Sequence, residues 1–365
     1  MRVNLPMTNQ PGPPASVSPR WPYPPSWVDR LISAVDNLPG PAWLAYLGGL
    51  LTAILLNHTF RWIDGSLPPG AVDGIRVAEA PFLILFPAVQ QYLNATARRA
   101  LEGFRPALDI GDDEYRKLEY RLTAVPAWPG AAAGGIGAAL GLMSLLSSPR
   151  GYGVTAETSL ATGVITAVFA MLTMAFLAMF TYHTLRQLRL VASVHRMAKR
   201  VNLFQLAPVY SFSTLTSRTG IAIILTLSAG YVFLSYATGV SAVGVSLIDV
   251  VIMVFMFLVA LACFVLPLSS MHNRLSHEKS RVLAEVNRRL EASINVVHER
   301  LDNGEFQTMD QLEKALANLI TERKVLAEVS TWPWRPETLR GFLSTLALPI
   351  VLYLITAVLG RILGL

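Results

Sequence analysis

The chain has 365 residues, of which 53% are hydrophobic and only 15% charged, with a mean hydropathy of +0.45. Charged residues make up about a quarter of an ordinary globular protein, so one aqueous core cannot hide this much apolar surface and lipid must solvate part of it. The net charge of +6 would suit nucleic acid if the basic residues formed one exposed patch, but they gather on one side of the predicted spans, which excludes that partner.

Residues 1–25 form a Pro-rich tail, with Pro11, Pro13, Pro14, Pro19, Pro22, Pro24 and Pro25. It lacks the apolar core and small-residue cleavage site of a signal peptide and reads as a disordered or polyproline linker, with a docking ligand as the lesser reading. Residues 26–38 open on Ser26-Trp27-Val28-Asp29 and carry Trp27, Leu31, Ile32 and Val35 on one face. This pattern predicts an amphipathic helix lying on the inner leaflet, anchored by Trp27 and ended by Pro39-Gly40-Pro41.

A hydrocarbon core about 30 Å thick needs roughly 20 helical residues. Seven stretches approach that length: Ala42–Phe60, Val77–Ala97, Ala127–Ser147, Leu160–Tyr182, Thr219–Ala237, Val245–Pro267 and Leu339–Leu359. The second is the weakest, interrupted by Pro81 and Pro87 and polar at Gln90, Gln91 and Asn94. Charge supports keeping it. With the N-terminus inside, the cytoplasmic segments hold three basic residues before the first span, six over 98–121, six over 186–218 and eleven over 274–340. Only Arg61, Arg76, Arg150 and Arg361 are left outside. Lys and Arg set the orientation of insertion, so the expected fold is all-α, a polytopic membrane protein of seven spans with its N-terminus in and its C-terminus out. Within 42–267, the segments 98–125 and 183–218 are then cytoplasmic.

The fourth span is expected to continue as one helix to about residue 200, with roughly half projecting into the cytoplasm until Pro208 forces a break. Residues 268–335 read as a cytoplasmic antiparallel hairpin. Leu283, Val286, Leu290, Ile294, Val297 and Leu301 recur at helical steps, Asp302-Asn303-Gly304 stops the helix, and Thr308 with Gln311 opens a second one through Met309, Leu312, Leu316, Leu319 and Leu326. The hairpin's apolar seam could close on itself, pack on the fourth helix or join subunits. Trp332 and Trp334 then match an aromatic anchor before the last span, 336–365.

Chemistry is sparse. Intramembrane protease motifs, paired aspartates and H-E-x-x-H are absent, and Gly134-Gly135-Ile136-Gly137 lies in a span without the strand-turn-helix context of a phosphate loop. The single cysteine, Cys263, excludes a disulfide framework and reads as a small buried hydrophobe. His272 and His277 lie off one helical face and His183 begins the cytoplasmic side of its helix, so no metal site is expected. The chain is read as a non-enzyme with no cofactor. The polar candidates for a cavity or pore are Gln90, Gln91 and Asn94 in the second span, and Thr226, Tyr231 and Tyr236 in the fifth. In hydrocarbon such groups must face other helices or water. Glu79 and Asp249, near the outer ends of their spans, could ring a cation-attracting vestibule. Gly130, Gly134, Gly137 and Gly141 form a small-residue packing stripe.

Two functions fit this plan. One is an oligomeric channel whose last helix lines the axis while the hairpin ties subunits together. The alternative is a sensor or scaffold that binds a lipid or small ligand and recruits a cytoplasmic protein through 275–330. Membrane lipids and further copies of the chain are the expected partners. The plan is similar, in topology alone, to that of insect chemoreceptor channels, which resemblance implies a last helix at the pore. No motif in 339–365 matches theirs, and the hairpin departs from their plan.

Overall fold

The structure, a computed structural model, describes residues 21–363 apart from 157, 199–202, 205, 238–246 and 305–308. It is all-helical: among the described residues there is no strand, only a single bridge between Pro25 and Pro126. In chain order the helices are α1 (Trp27–Asp36), α2 (Ala42–Ile63), α3 (Gly74–Phe104), α4 (Asp112–Thr123), α5 (Ala127–Ser147), α6 (Leu160–Met197), α7 (Ser211–Ala237), α8 (Leu247–Asp302), α9 (Met309–Glu328) and α10 (Pro336–Leu363).

Four of them are long and apolar enough to cross a membrane: α2, α5, α6 and the part of α8 from Val254 onward. Their outward faces are apolar, with Leu44, Leu51 and Leu55 on α2, Ile136, Leu140 and Met143 on α5, and Val164 and Val168 on α6 all exposed. A surface of this kind is unfavourable in water and suits lipid, so the four helices suggest a membrane location. α3 is not among the four. Its polar residues Gln90, Gln91 and Asn94 lower its hydropathy, yet it runs unbroken through Pro81 and Pro87.

The tightest packing joins α5 to α6. The glycine stripe lies along this contact, and a methyl group added at Gly137 or Gly141 would collide with the backbone carbonyls of Met174 or Ala170. Side chains can rotate away from such a clash, but a helix backbone cannot. The same stripe continues to α1, where Gly130 lies against Ser26 and Met179, and Gly134 against the indole of Trp27.

α1 begins with a reciprocal cap between Ser26 and Asp29. Its buried face is Val28, Asp29 and Ile32, so of the predicted apolar face Ile32 and Trp27 dock while Leu31 stays exposed. Residues 21–25, read with the flexible tail, are tied down: Ser26 N donates to Val125 O and Ala127 N to Pro24 O, while Trp21 stacks on Tyr120. The remainder of the tail, 1–20, lies outside the described residues.

α6 has 38 residues and α8 has 56, giving lengths of about 57 and 84 Å. Both exceed the roughly 30 Å hydrocarbon core. Beyond Pro267 they pack together: Leu268, Met271 and Leu275 are buried, and Arg274 donates to the carbonyls of His195, Arg196 and Ala198 at the open end of α6. A cation there satisfies carbonyls that the last turn leaves free and complements the helix dipole. α9 returns along the far half of α8, where Lys279 Nζ reaches the carbonyls of Ala327 and Val329, and Arg323 reaches Asn287. Thr308, the expected start of a capping box, lies outside the described residues, and the described part of α9 runs Met309–Glu328.

The α5–α6 contact gives a direct test. Gly137→Ala or Gly141→Ala should cost at least the about 1–3 kcal/mol typical of overpacking. Gly135→Ala, which meets no atom within 4 Å, should be neutral. Thermal melts of the purified protein in detergent compare the three. An equal response at all positions would refute the backbone contact.

Candidate functional site

At the end of the bundle carrying α1 and α4, polar side chains from four segments meet in the interior. α3 presents Gln90 and Asn94 on one face, four residues apart, and α6 presents His183 and Gln187 with the same spacing. Three of these four are 0–1% exposed and Asn94 is 7% exposed. His183 Nε2 lies 2.8 Å from Asn94 Oδ1, and Gln187 Nε2 donates to the same oxygen at 3.5 Å and to Leu122 O at 3.1 Å. A single acceptor thus serves two donors when the imidazole carries its proton on Nε2.

Gln90 extends the network to α1, its amide donating to Asp29 Oδ1 at 3.4 Å. The other carboxylate oxygen of Asp29 accepts from Val125 N at 2.8 Å and from the Ser26 hydroxyl at 2.7 Å. Burial pushes the Asp29 carboxyl above its ordinary range, opposed by these hydrogen bonds. Arg186 closes the outer edge, donating to the carbonyls of Arg121 and Ala124 and to the Tyr23 hydroxyl. Burial likewise raises the Tyr23 phenol, with Arg186 pulling it back.

The network is incomplete. His183 Nδ1, Thr184 Oγ1 and Gln187 Oε1 are buried without a protein partner. Each such atom costs free energy unless water or a ligand serves it, and with His183 protonated at Nε2 its Nδ1 requires a donor. Among the described residues no group of three His, Cys, Asp or Glu could hold a metal ion.

A second polar cluster lies at the opposite end of α2, α3 and α6. Arg61 and Arg76 are 5% and 6% exposed, and both reach the turn that joins α5 to α6. Arg61 donates to Tyr152 O at 3.2 Å and to Asn57 Oδ1 at 3.2 Å, and Arg76 donates to Gly151 O at 3.4 Å. Arg76 also forms an ion pair with Glu79. The two guanidiniums converge beneath Gly153, which turns with φ +61° and leaves no room for a side chain above Arg61. A cavity of about 10 Å³, lined by Asn57, Arg76, Glu79 and Thr173 among others, has room for about one water.

Of the residues singled out in the sequence, Gln90 and Asn94 join the inner network. Gln91 points to the surface and bonds Asp36, and Thr226 is half-buried on α7. The side chains of Tyr231, Tyr236 and Asp249 lie outside the described residues. Glu79 forms an ion pair with Arg76. Trp27 is wedged into the bundle, its indole N–H donating to Gly130 O at 3.2 Å and its ring 5.0 Å from Phe176. Trp332 and Trp334 stack on each other at 4.4 Å. They sit within a series of rings that runs from His272 through both indoles to Phe264 and Phe342.

His183, Gln187, Arg61 and Arg76 are the residues that sequence reading passed over. The signal for the first two was a polar pair at i, i+4 in a helix otherwise apolar or arginine-faced. For the arginines it was their rarity at that end of the chain's helices. Together the geometry defines an all-helical protein with four helices long and apolar enough to cross a membrane and two buried polar clusters, one at each end. No family model, no curated protein and no solved structure matches the chain.

Asp29→Ala should cost about 1–3 kcal/mol by stripping buried donors of their acceptor. Asp29→Asn tests the raised carboxyl. A pKa raised in the folded state stabilises fully below the ordinary aspartate range, and that contribution is lost as pH climbs through the native value. Melting curves from acidic to neutral pH should therefore show a wild-type decline that Asp29→Asn lacks. Parallel curves would rule out burial of this carboxyl.

Proposed function

We propose that the chain is a seven-span membrane protein whose basic end faces the cytoplasm, and that it assembles into a homo-oligomeric pore with α10 at the axis. The charge distribution supports the orientation, since only Arg61, Arg76, Arg150 and Arg361 fall on the other side. On this reading α3, α7 and α10 are spans as well, the N-terminus is cytoplasmic and the C-terminus lies outside in the cell membrane. α3, at 31 residues, would be long enough at about 46 Å.

The observation that carries the assembly is the incomplete burial of the α8–α9 projection. Val286 and Leu326 are its fully buried apolar residues beyond the α6 contact, whereas Ile294, Leu301, Ile320 and Val325 are 39–55% exposed. Arg323 bonds Asn287, so Ile320 and Ile294 lie at neighbouring levels of the paired helices. In the cytoplasm this stripe would have no lipid to cover it, and a second copy would bury it. α10 favours the same arrangement, because it packs chiefly on α7 and leaves Leu343, Ile350 and Val351 exposed.

The alternative is a sensor or scaffold in which the same projection recruits a cytoplasmic protein. The buried network around His183 and Asn94, with its unpartnered atoms, favours a chain that holds a small polar ligand or waters. Oligomeric state separates the two. Native mass spectrometry of the protein in detergent should give a closed ring, and Ile294→Asp with Ile320→Asp should shift it to monomers while preserving helicity. Liposomes holding the wild type should pass ions and those holding the double variant should not. A monomeric wild type would sink the pore; loss of a captured partner on deleting 275–330 would then favour the scaffold.

A further inference from the structure

We infer that the groove between α3 and α7, at the basic end of the bundle, holds the phosphate headgroup of an anionic phospholipid. The inference needs only that these helices stand in a membrane, and it is independent of oligomeric state.

The groove is identified by its packing. A methyl group at Gly103 would strike Ser211, so the face of α3 that carries Gly103 meets the start of α7. Tyr92, Thr96 and Arg99 lie on that same face at four- and three-residue steps. From α7, Arg218 reaches across: its Nη1 donates to Thr96 Oγ1 at 3.2 Å, and its guanidinium lies 5.4 Å from the centre of the Tyr92 ring. Thr96 is 3% exposed and its hydroxyl donates to Tyr92 O, so it is fixed as the acceptor for Arg218.

The charge is unmatched. Among the described residues neither Arg218 nor Arg99 forms an ion pair, while the neighbouring Arg98 is engaged with Glu119. Glu102, one turn beyond Arg99, pairs with neither. The whole segment 183–218 contains no Asp or Glu. Arg218 is only half-exposed, and a partly desolvated cation without a counter-ion is costly. A guanidinium has five N–H donors in a planar fork, and only one of those on Arg218 is directed at the protein through a hydrogen bond. The rest suit phosphate oxygens, which arginine binds in pairs.

The shape selects a lipid over a soluble anion. Arg218 stands seven residues into α7, about 10 Å from its start, a depth comparable to the headgroup layer. Leu225, on the same face two turns further in, is 44% exposed, and Tyr92 is 49% exposed. The groove is therefore cationic at its mouth and apolar beyond, which matches a phosphate followed by an acyl chain. With two unpaired positive charges at the mouth, a headgroup of net negative charge is favoured over a zwitterionic one.

The test uses the full chain in nanodiscs made from equal parts phosphatidylglycerol and phosphatidylcholine, with native mass spectrometry counting the lipids retained after release. Wild type should keep phosphatidylglycerol in preference to phosphatidylcholine. Arg99→Gln with Arg218→Gln should lower that retention by about fivefold or more, taking the usual contribution of a basic residue near an anionic surface. Arg99→Gln alone, at an exposed position that folding tolerates, should lower it in part. Arg189→Gln, an exposed arginine on α6 outside the groove, should leave it unchanged. Millimolar inorganic phosphate should not displace the lipid. Absence of a wild-type preference, an equal loss with Arg189→Gln, or full displacement by inorganic phosphate would each overturn the site.

Discussion

The close approach of α5 to α6 is the constraint on which the remainder of the bundle depends. Glycines at 137 and 141 let the two backbones touch, and that distance sets where everything at either end of the pair must fall. At one end it brings the start of α5 to Gln187 and Arg186, whose side chains hold the carbonyls of Leu122, Arg121 and Ala124. At the other it brings the turn 149–153 down onto Arg61 and Arg76. Further along the same stripe, Gly130 and Gly134 leave a slot that the Trp27 indole fills, which docks α1 as part of the bundle.

The two polar clusters follow from that geometry and from the solvent. Polar side chains buried away from water must find one another. Asn94, His183 and Gln187 do so from two helices, with Leu122 O as the fixed point. Arg61 and Arg76 do so by bonding the backbone of the turn 149–153 and, for Arg76, Glu79. Two guanidiniums this deeply buried are stable because carbonyls, an amide and carboxylates surround them; removing any one contributor would leave a charge exposed to a poor solvent. The clusters therefore fasten the helices at both ends, while the middle of the bundle is held by apolar contact.

Sequence reading captured what periodicity and charge encode. The long helix α6 running on to Met197, a helix through Met309–Glu328, the glycine stripe, and the need of Gln90 and Asn94 for partners were all legible in single segments. What escaped it were the pairings between segments. Trp27 looks like an interfacial anchor because nothing local reveals Gly130, some hundred residues on, as its partner. The buried face of α1 includes Asp29, which reaches Val125 and which an apolar pattern does not single out, while Leu31 of that pattern stays exposed. Likewise Arg61 and Arg76 read as isolated charges until the turn at 151–153 folds over them. A lone His183 at a helix midpoint is unremarkable until Asn94 stands opposite.

The far end of the chain is joined to the bundle by aromatic stacking as well as by the bonds of Lys279 and His272 to the carbonyls of Ala327, Val329 and Thr331. Only residues 329–335 separate α9 from α10, and Pro333 and Pro336 restrict their backbone further. Within that segment Trp332 lies flat on His272 of α8, with ring centres 3.9 Å apart, and Trp334 stacks on Phe264, one ring away from Phe342 of α10. Large rings with few rotatable bonds fill this corner, so α9 cannot tilt against α8 without carrying the stack along. The stack in turn bears on Phe342, which lies against Gly220 of α7. The ring series thus links the α8–α9 pair to the last helix, with His272 and Phe264 of α8 contributing to it at both ends.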